Sequence, residues 1–273
     1  MRLTARALFR DRIVILLALL GVTILAWLYL LADRQRMADM ANMDMPNMDM
    51  PNMDRGRMDI GGMAGMAMPA SWSATAFALT FAMWWIMMLG MMLPSAAPTI
   101  LVFATMARRQ RERGQKFVPV SVFTIGYLLV WGGFCVAATV LQWGLDQAAL
   151  LSPMLATSSA TIGGALFVLS GLYQFTPFKY ACLRQCRSPF AFLLNHWHDG
   201  WHGALRMGVS HGLYCLGCCW VLMALLFAVG VMNLVWVAAI AAFVFAEKLL
   251  PGGIWIGRIA GALMLAFGAF LLW

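Results

Sequence analysis

Charged residues are scarce in this chain of 273 residues, and their scarcity excludes most classes of soluble protein. Asp, Glu, Lys and Arg together make up only 11% of the sequence, whereas 63% of the residues are hydrophobic and the mean hydropathy is +0.80. A soluble domain carries about 25% charged residues. Several apolar runs reach the length of about 20 residues that crosses a bilayer. The composition therefore predicts an integral membrane protein.

Sequence motifs for nucleotide-driven or hydrolytic chemistry are also missing. The chain has no P-loop, no Asp-Lys-Thr-Gly phosphorylation motif and no Ser/His/Asp or paired-carboxylate arrangement. These absences argue against an ATP-driven pump and against a hydrolase. We expect that the protein is not an enzyme.

Seven apolar segments predict an all-α fold, a polytopic transmembrane helix bundle. They cover residues 13–32, 74–106, 118–141, 157–176, 206–229, 231–248 and 254–273. Only the sequence VGVMN separates the fifth segment from the sixth, so six spans is the alternative count. We divide the chain into an N-terminal membrane anchor helix (1–32), a Met/Asp-rich flexible extracytoplasmic loop (33–71) and a helical membrane domain (72–273).

Basic residues cluster on alternate loops, which predicts the orientation of the chain. Arg108, Arg109, Arg111, Arg113 and Lys116 follow the second span, whereas the loop 142–156 carries no Lys or Arg. By the positive-inside rule, the N-terminus is cytoplasmic and the 33–71 loop is periplasmic in a bacterial inner membrane. This placement favours the lipid bilayer over nucleic acid as the partner of the basic residues. A cleaved signal peptide is the alternative interpretation of the first span.

Methionine is concentrated in one polar segment. Of 23 methionines, 11 lie between Met37 and Met68, and residues 42–54 read NMDMPNMDMPNMD. A thioether binds soft ions such as Cu(I) or Ag(I) without losing a proton, and it persists in compartments where thiols oxidise. The alternative is a flexible linker with no ligand. We call this segment, from Met37 to Met68, the tether. Its candidate metal ligands are Met43, Met45, Met48 and Met50.

The second span continues the methionine pattern as MWWIMMLGMMLPSAAP, residues 83–98. Met87 and Met91 are four residues apart and therefore share one helix face. We expect both to face the bundle interior as candidate ligands, although methionine also serves as ordinary packing. Pro94 and Pro98 should distort the helix just beyond them.

The fifth span contains histidine and cysteine at helical spacing. In HGLYCLGCC, the side chains of His211, Cys215 and Cys219 recur every fourth residue, and Cys218 lies beside them. An ionisable residue inside a span indicates a functional site. A zinc site of Cys-x-x-Cys type and simple packing are the alternatives. The methionine tether favours Cu(I), because methionine is a poor zinc ligand.

Two further pairs of residues extend this set. Cys182 and Cys186, in CLRQC, follow the fourth span on the cytoplasmic side and are candidate ligands there. Glu247 and Lys248 end the sixth span. For them we expect an acid at the membrane interface beside a lysine that extends to the headgroups. The alternative is a charge pair that assists cation release.

The segments MWWIMMLGMMLPSAAP, HGLYCLGCCWVLM and GVMNLVWVAAIAAFVFAEKLLPGG resemble a known family. It is the bacterial family of predicted metal-binding integral membrane proteins of unknown function, some of whose members are labelled copper chaperones. The resemblance covers roughly residues 75–273. It implies a helical membrane protein that binds metal through His211, Cys215, Cys218 and Cys219, with Glu247 and Lys248 as a further motif. The repeat at 42–54 lies outside it.

These observations favour capture of Cu(I) and its transfer or delivery to copper enzymes. The tether would collect the ion, Met87 and Met91 would pass it to the His211 and cysteine set, and the route would end near Cys182 and Cys186. The alternative is a structural or accessory subunit of a larger membrane complex, without transport activity of its own. A thiol-exchange oxidoreductase is a third hypothesis.

Overall fold

The structure, a computed structural model, describes residues 2–43, 72–114, 118–148, 150, 157 and 159–273. This part of the chain is all-α, as predicted. The helices are α1 (Arg2–Met43), α2 (Ala74–Glu112), α3 (Val120–Gln147), α4 (Ala160–Tyr173), α5 (Pro177–Arg187), α6 (Pro189–Asn195), α7 (Gly200–Ala224), α8 (Leu226–Val229), α9 (Leu234–Leu249) and α10 (Gly253–Leu272).

Within the described residues, five helical stretches are long and apolar enough to cross a membrane. They are Arg10–Arg36, Ala74–Glu112, Val120–Gln147, Gly200–Val229 and Gly253–Leu272. The predicted count of seven is therefore too high by this measure, as is the alternative of six. The predicted fourth span is a helix of 14 residues and the predicted sixth is a helix of 16 residues. Both fall short of the roughly 20 residues that a span needs.

Helix-capping residues explain why α4 is short. The hydroxyl of Ser159 accepts a hydrogen bond from the backbone N–H of Ile162 and so begins α4. The hydroxyl of Thr176 accepts from the N–H of Lys179 and begins α5 three residues after α4 ends. Such caps satisfy the free N–H groups of a first helical turn. The apolar run 157–176 therefore holds a helix of only 14 residues between the two caps, although its hydropathy alone suggests a full span.

Glycines bring two pairs of helices into close contact. A Cβ atom added at Gly126 of α3 would collide with the carbonyl oxygen of Leu205, and one added at Gly208 of α7 would collide with that of Phe123. Gly171 of α4 is similarly close to the carbonyl oxygen of Gly261 in α10. Small residues at helix crossings are typical of membrane bundles. The close approach of α3 holds α7 in the centre of the bundle.

Helix α2 runs unbroken through Pro94 and Pro98. The hydroxyl of Ser95 donates to the carbonyl of Met92 at 2.8 Å, and the hydroxyl of Tyr127 donates to the same carbonyl at 3.1 Å. Such bonds are one way in which a membrane helix keeps its polar backbone groups satisfied near proline. At the end of α2, Arg108 forms an ion pair with Asp11 of α1.

Candidate metal centre

Helix α7 carries a continuous stripe of buried soft donors. Met207, His211, Cys215, Cys218, Cys219 and Met223 are each no more than 1% exposed. Residues three or four positions apart share one face of a helix, so the sequence spacing aligns these side chains. The stripe faces the interior of the bundle rather than its surface.

Two of the three thiols in this stripe donate hydrogen bonds to one backbone carbonyl. Cys218 and Cys219 both donate to the carbonyl oxygen of Cys215, each at 3.0 Å. The Sγ atom of Cys219 also lies 4.0 Å from the Sδ atom of Met92 in α2. All six cysteines of the chain are free thiols. Reduced sulfur from two helices thus meets in one buried place.

Cys186 joins the same cluster from the short helix α5. Side-chain hydrogen bonding to Cys215 and Cys218, together with burial, raises the pKa of the Cys186 thiol. Cys182 is also buried, and burial raises the pKa of its thiol. It packs at Gly217, where an added Cβ would lie 2.8 Å from its Sγ atom. The structure packs this pair against α7, because Gly217 leaves room for α5. The predicted role of the pair as the end of a route stays a prediction.

The side chain of Lys248 lies inside the bundle, and its predicted position at the membrane surface is wrong. Its side chain does not extend to the membrane surface, because the residue is only 5% exposed. The Nζ atom donates to Sγ of Cys215 at 3.0 Å and to Oγ of Ser95 at 3.1 Å. The hydroxyl of Tyr127 lies 3.2 Å from the same sulfur. The sulfur of Cys215 is therefore contacted by Tyr127 of α3 and by Lys248 of α9, and the hydroxyl of Ser95 in α2 contacts the same ammonium group.

Glu247, the neighbour of Lys248, belongs to a separate buried network rather than to an interface. Its carboxylate forms an ion pair with Lys179, which also donates to the side-chain oxygen of Gln174. Arg187 donates to the backbone carbonyl of Glu247 at 2.6 Å. The carboxylate packs closely against Gly257 of α10. Each charge of this pair is balanced by the other.

His211 is buried among aromatic rings. Its imidazole lies 6.1 Å from the ring of Phe123, 5.7 Å from that of Tyr127 and 5.3 Å from that of Phe192, measured between ring centroids. In the part of the chain that the structure describes, neither ring nitrogen has a hydrogen-bond partner. Buried polar atoms are normally paired, so a pair of free nitrogens needs an explanation. One turn of helix separates this ring from Cys215.

A cavity of about 430 Å³ lies on the side of His211 that is away from Cys215, towards the beginning of α7. Met207 lines it, together with His198, Trp197, Phe103 of α2 and Ala107 of α2. Met207 is four residues before His211 and so lies one helical turn away on the same face. The cavity therefore reaches the end of the donor stripe, close to the basic end of α2.

The methionines predicted as ligands have different positions. Met87 and Met91 are buried, at 1% and 2% exposure, and so face the interior as expected. The methionine that contacts a thiol of the cluster, that of Cys219, is Met92. Met92 follows Met91 in the chain and was not among the predicted ligands. Met43 is the last residue of α1. Met45, Met48 and Met50 lie outside the described residues.

Comparison with known proteins assigns the chain to a family. Residues 81–271 match the family model PpoB2, described as copper chaperone. The chain belongs to this family. Comparisons with curated proteins and with solved structures find no match. The predicted family resemblance is thus confirmed, and the predicted copper association is supported at the level of the family.

The match to the PpoB2 copper chaperone family includes every residue of the buried cluster and excludes the tether. Among the described residues, no three His, Cys, Asp or Glu side chains form a set that could hold a metal ion as they stand. The contacts explain this, because Cys218 and Cys219 turn towards the Cys215 carbonyl while Lys248 contacts its sulfur. The donor types nevertheless fit a soft cation, since thiol, thioether and imidazole groups suit Cu(I).

Proposed function

We propose that this protein binds Cu(I) at the cluster of Cys186, Cys215, Cys218 and Cys219 and passes it to an acceptor such as a copper enzyme. The observation that carries the proposal is the meeting of buried thiols with the thioether of Met92 and with the unpartnered imidazole of His211. Membership of a copper chaperone family supports it. The protein would act as a binding and transfer protein, not as an enzyme.

Cu(I) fits this set of donors better than zinc does. Zinc prefers four ligands in a tetrahedron of thiolate, imidazole or carboxylate groups, and its structural sites are closed. Cu(I) is selected by soft thiolate and thioether ligands. The Met92 contact with Cys219 therefore favours Cu(I). Binding would require the thiols of Cys218 and Cys219 to turn away from the Cys215 carbonyl.

The arrangement of donors along α2 and α7 supports a route through the protein. The tether precedes α2, where Met87 and Met91 lead to Met92 at the thiols. On α7, His211 and Met207 lead from the thiols to the cavity near the basic end of α2. We place the protein in the bacterial inner membrane with its N-terminus in the cytoplasm, following the distribution of basic residues. Cu(I) would then enter from the tether and leave at the cavity.

Metal analysis of detergent-purified protein tests the proposal. Wild-type protein and the double variant Cys215→Ser/Cys218→Ser are loaded with Cu(I) without oxygen, in competition with a chromophoric Cu(I) chelator. We expect the wild type to retain Cu(I) against the chelator and the double variant to lose tight binding. Serine keeps the size of the side chain but supplies a hard oxygen donor.

Cys135→Ser is the matched control. Cys135 is equally buried. It lies in α3 eight residues beyond Tyr127, or about 12 Å along the helix axis. This variant should bind Cu(I) like the wild type. Equal metal content in the wild type and the double variant would reject the site. Metal-free protein that purifies in fixed ratio with another membrane protein would favour the accessory-subunit alternative.

A further inference from the structure

Two lysines are buried in the described part of the chain, and they have different partners. Lys179 is 0% exposed and is neutralised by the carboxylate of Glu247. Lys248 is 5% exposed, yet in the described part of the chain no carboxylate lies within ion-pair distance of its Nζ atom. Its two hydrogen-bond partners are Cys215 and Ser95. Lys248 therefore brings one positive charge into the sulfur cluster.

A buried ammonium group needs a nearby negative charge. An isolated ion in a protein interior is strongly disfavoured, whereas a paired and hydrogen-bonded ion is tolerated. Ser95 supplies only a neutral hydroxyl, so the sulfur of Cys215, at 3.0 Å, is the group that can supply the negative charge. Glu247 cannot serve, because Lys179 already balances it.

The fixed charge of Lys248 affects which cations the cluster can hold. Two thiolates and one Cu(I) ion together carry a charge of −1, which the ammonium brings to zero. Two thiolates and one Zn(II) ion are neutral by themselves, so the ammonium leaves a charge of +1 in the interior. Since an unbalanced buried charge is costly, a neighbouring lysine favours the monovalent ion.

We propose that Lys248 is the counter-charge of a two-thiolate site and that it sets the preference of the cluster for a monovalent soft cation over a divalent one. In the absence of metal, its ammonium contacts the Cys215 sulfur and takes the place of the cation. When Cu(I) binds, the second cysteine of the site releases its thiol proton to bulk water, and Lys248 remains beside the complex and neutralises it. Neutral donors such as Met92 then complete the coordination. This inference rests on the proposed function of the cluster.

The substitution Lys248→Met tests the inference, because it removes the charge and keeps the length of the side chain. Affinities for Cu(I) and for Zn(II) are measured separately by competition with chelators on full-length protein in detergent. We expect the Cu(I) affinity to fall by at least about tenfold, or 1.4 kcal/mol. The Zn(II) affinity should hold or rise. Lys248→Gln, which retains a hydrogen-bond donor without charge, should show the same change of preference.

Two controls separate the charge of Lys248 from a purely structural role. Lys248→Arg retains the positive charge and should keep the wild-type preference for Cu(I). Lys179→Met removes the other buried lysine and should lower thermal stability, because it leaves Glu247 unpaired. It should not reverse the order of the two metals. A sulfur count from X-ray absorption of the Cu(I)-loaded wild type should be consistent with two thiolates and the thioether of Met92, which the method counts together.

The outcomes distinguish this inference from the proposed function. The inference is overturned, and the proposed function stands, if the wild type binds Cu(I) tightly and Lys248→Met and Lys248→Gln keep the wild-type ratio of Cu(I) to Zn(II) affinity. A parallel loss of both affinities in these variants would also overturn it. A wild type that does not bind Cu(I) would overturn both.

Discussion

The Sγ atom of Cys219 lies 4.0 Å from the Sδ atom of Met92, although 127 residues of chain separate them. This contact connects α7, which carries the thiols, with α2, which follows the methionine tether. Nothing in the cysteine pattern of α7 identifies its partner on another helix. Under the proposed function, this pairing of thiol and thioether is the feature that would favour Cu(I) over zinc at the cluster.

Met92→Leu should weaken Cu(I) binding with little effect on stability. Leucine has nearly the volume of methionine, and such exchanges usually change the free energy of unfolding by less than about 1.5 kcal/mol. The variant loses the thioether, so we expect the Cu(I) affinity to fall by about tenfold, or 1.4 kcal/mol. Chelator competition measures the affinity, and thermal unfolding in detergent measures the stability.

Met83→Leu is the control for this prediction. Met83 is buried in the same helix. It lies nine residues before Met92, or about 14 Å along the helix axis. It should keep the wild-type affinity. If Met92→Leu and Met83→Leu behaved alike, Met92 would be a packing residue and not a ligand.

His211→Phe should separate stability from metal binding. The histidine leaves two ring nitrogens without hydrogen-bond partners in the described structure. Each unsatisfied buried group costs about 1–3 kcal/mol. Phenylalanine suits the rings of Phe123, Tyr127 and Phe192 that surround the site. We expect the metal-free variant to unfold at the same temperature as the wild type or higher, while its Cu(I) affinity falls.

His196→Phe is the matched control for the histidine prediction. His196 stacks on Phe192, and its Nδ1 atom lies 3.0 Å from the Phe192 carbonyl oxygen, so its ring has a partner. Replacing it should leave the Cu(I) affinity unchanged. A His211→Phe variant that lost stability and bound Cu(I) normally would assign His211 to the packing of the bundle alone.

The part of the site within one helix could be predicted from the sequence. His211, Cys215, Cys218 and Cys219 share a face because of the helical repeat, which is local information. The helical repeat does not show which residues of other helices contact this face. For that reason, neither Met92 nor Tyr127 was predicted as part of the site. The predicted number of spans was too high because hydropathy does not register the caps at Ser159 and Thr176.

The error over Lys248 has a geometric cause. Adjacent residues of a helix point about 100° apart, so neighbours in the sequence do not share surroundings. Glu247 points towards Lys179 and α10, whereas Lys248 points towards Cys215 and Ser95. Treating the two as one charged pair at the membrane surface assigned both to the wrong place.

Replacing the thioethers of the tether should reduce copper uptake when copper is scarce. The change is Met43, Met45, Met48 and Met50 to Ser, which keeps the length and the acidic residues of the segment. Ligands joined to α2 raise the local concentration of the ion near that helix, and this advantage matters only below saturation. We expect the copper content of cells to fall several-fold in copper-limited medium and to be normal in copper-rich medium.

The matched control for the tether prediction replaces Asp44, Asp49 and Asp54 by Asn and leaves every methionine in place. Carboxylates are hard ligands and do not select Cu(I), so this control should lose much less copper. Equal losses in the two variants would assign the effect to charge and not to sulfur. Normal copper content in the serine variant at every copper level would reject the tether as a collector.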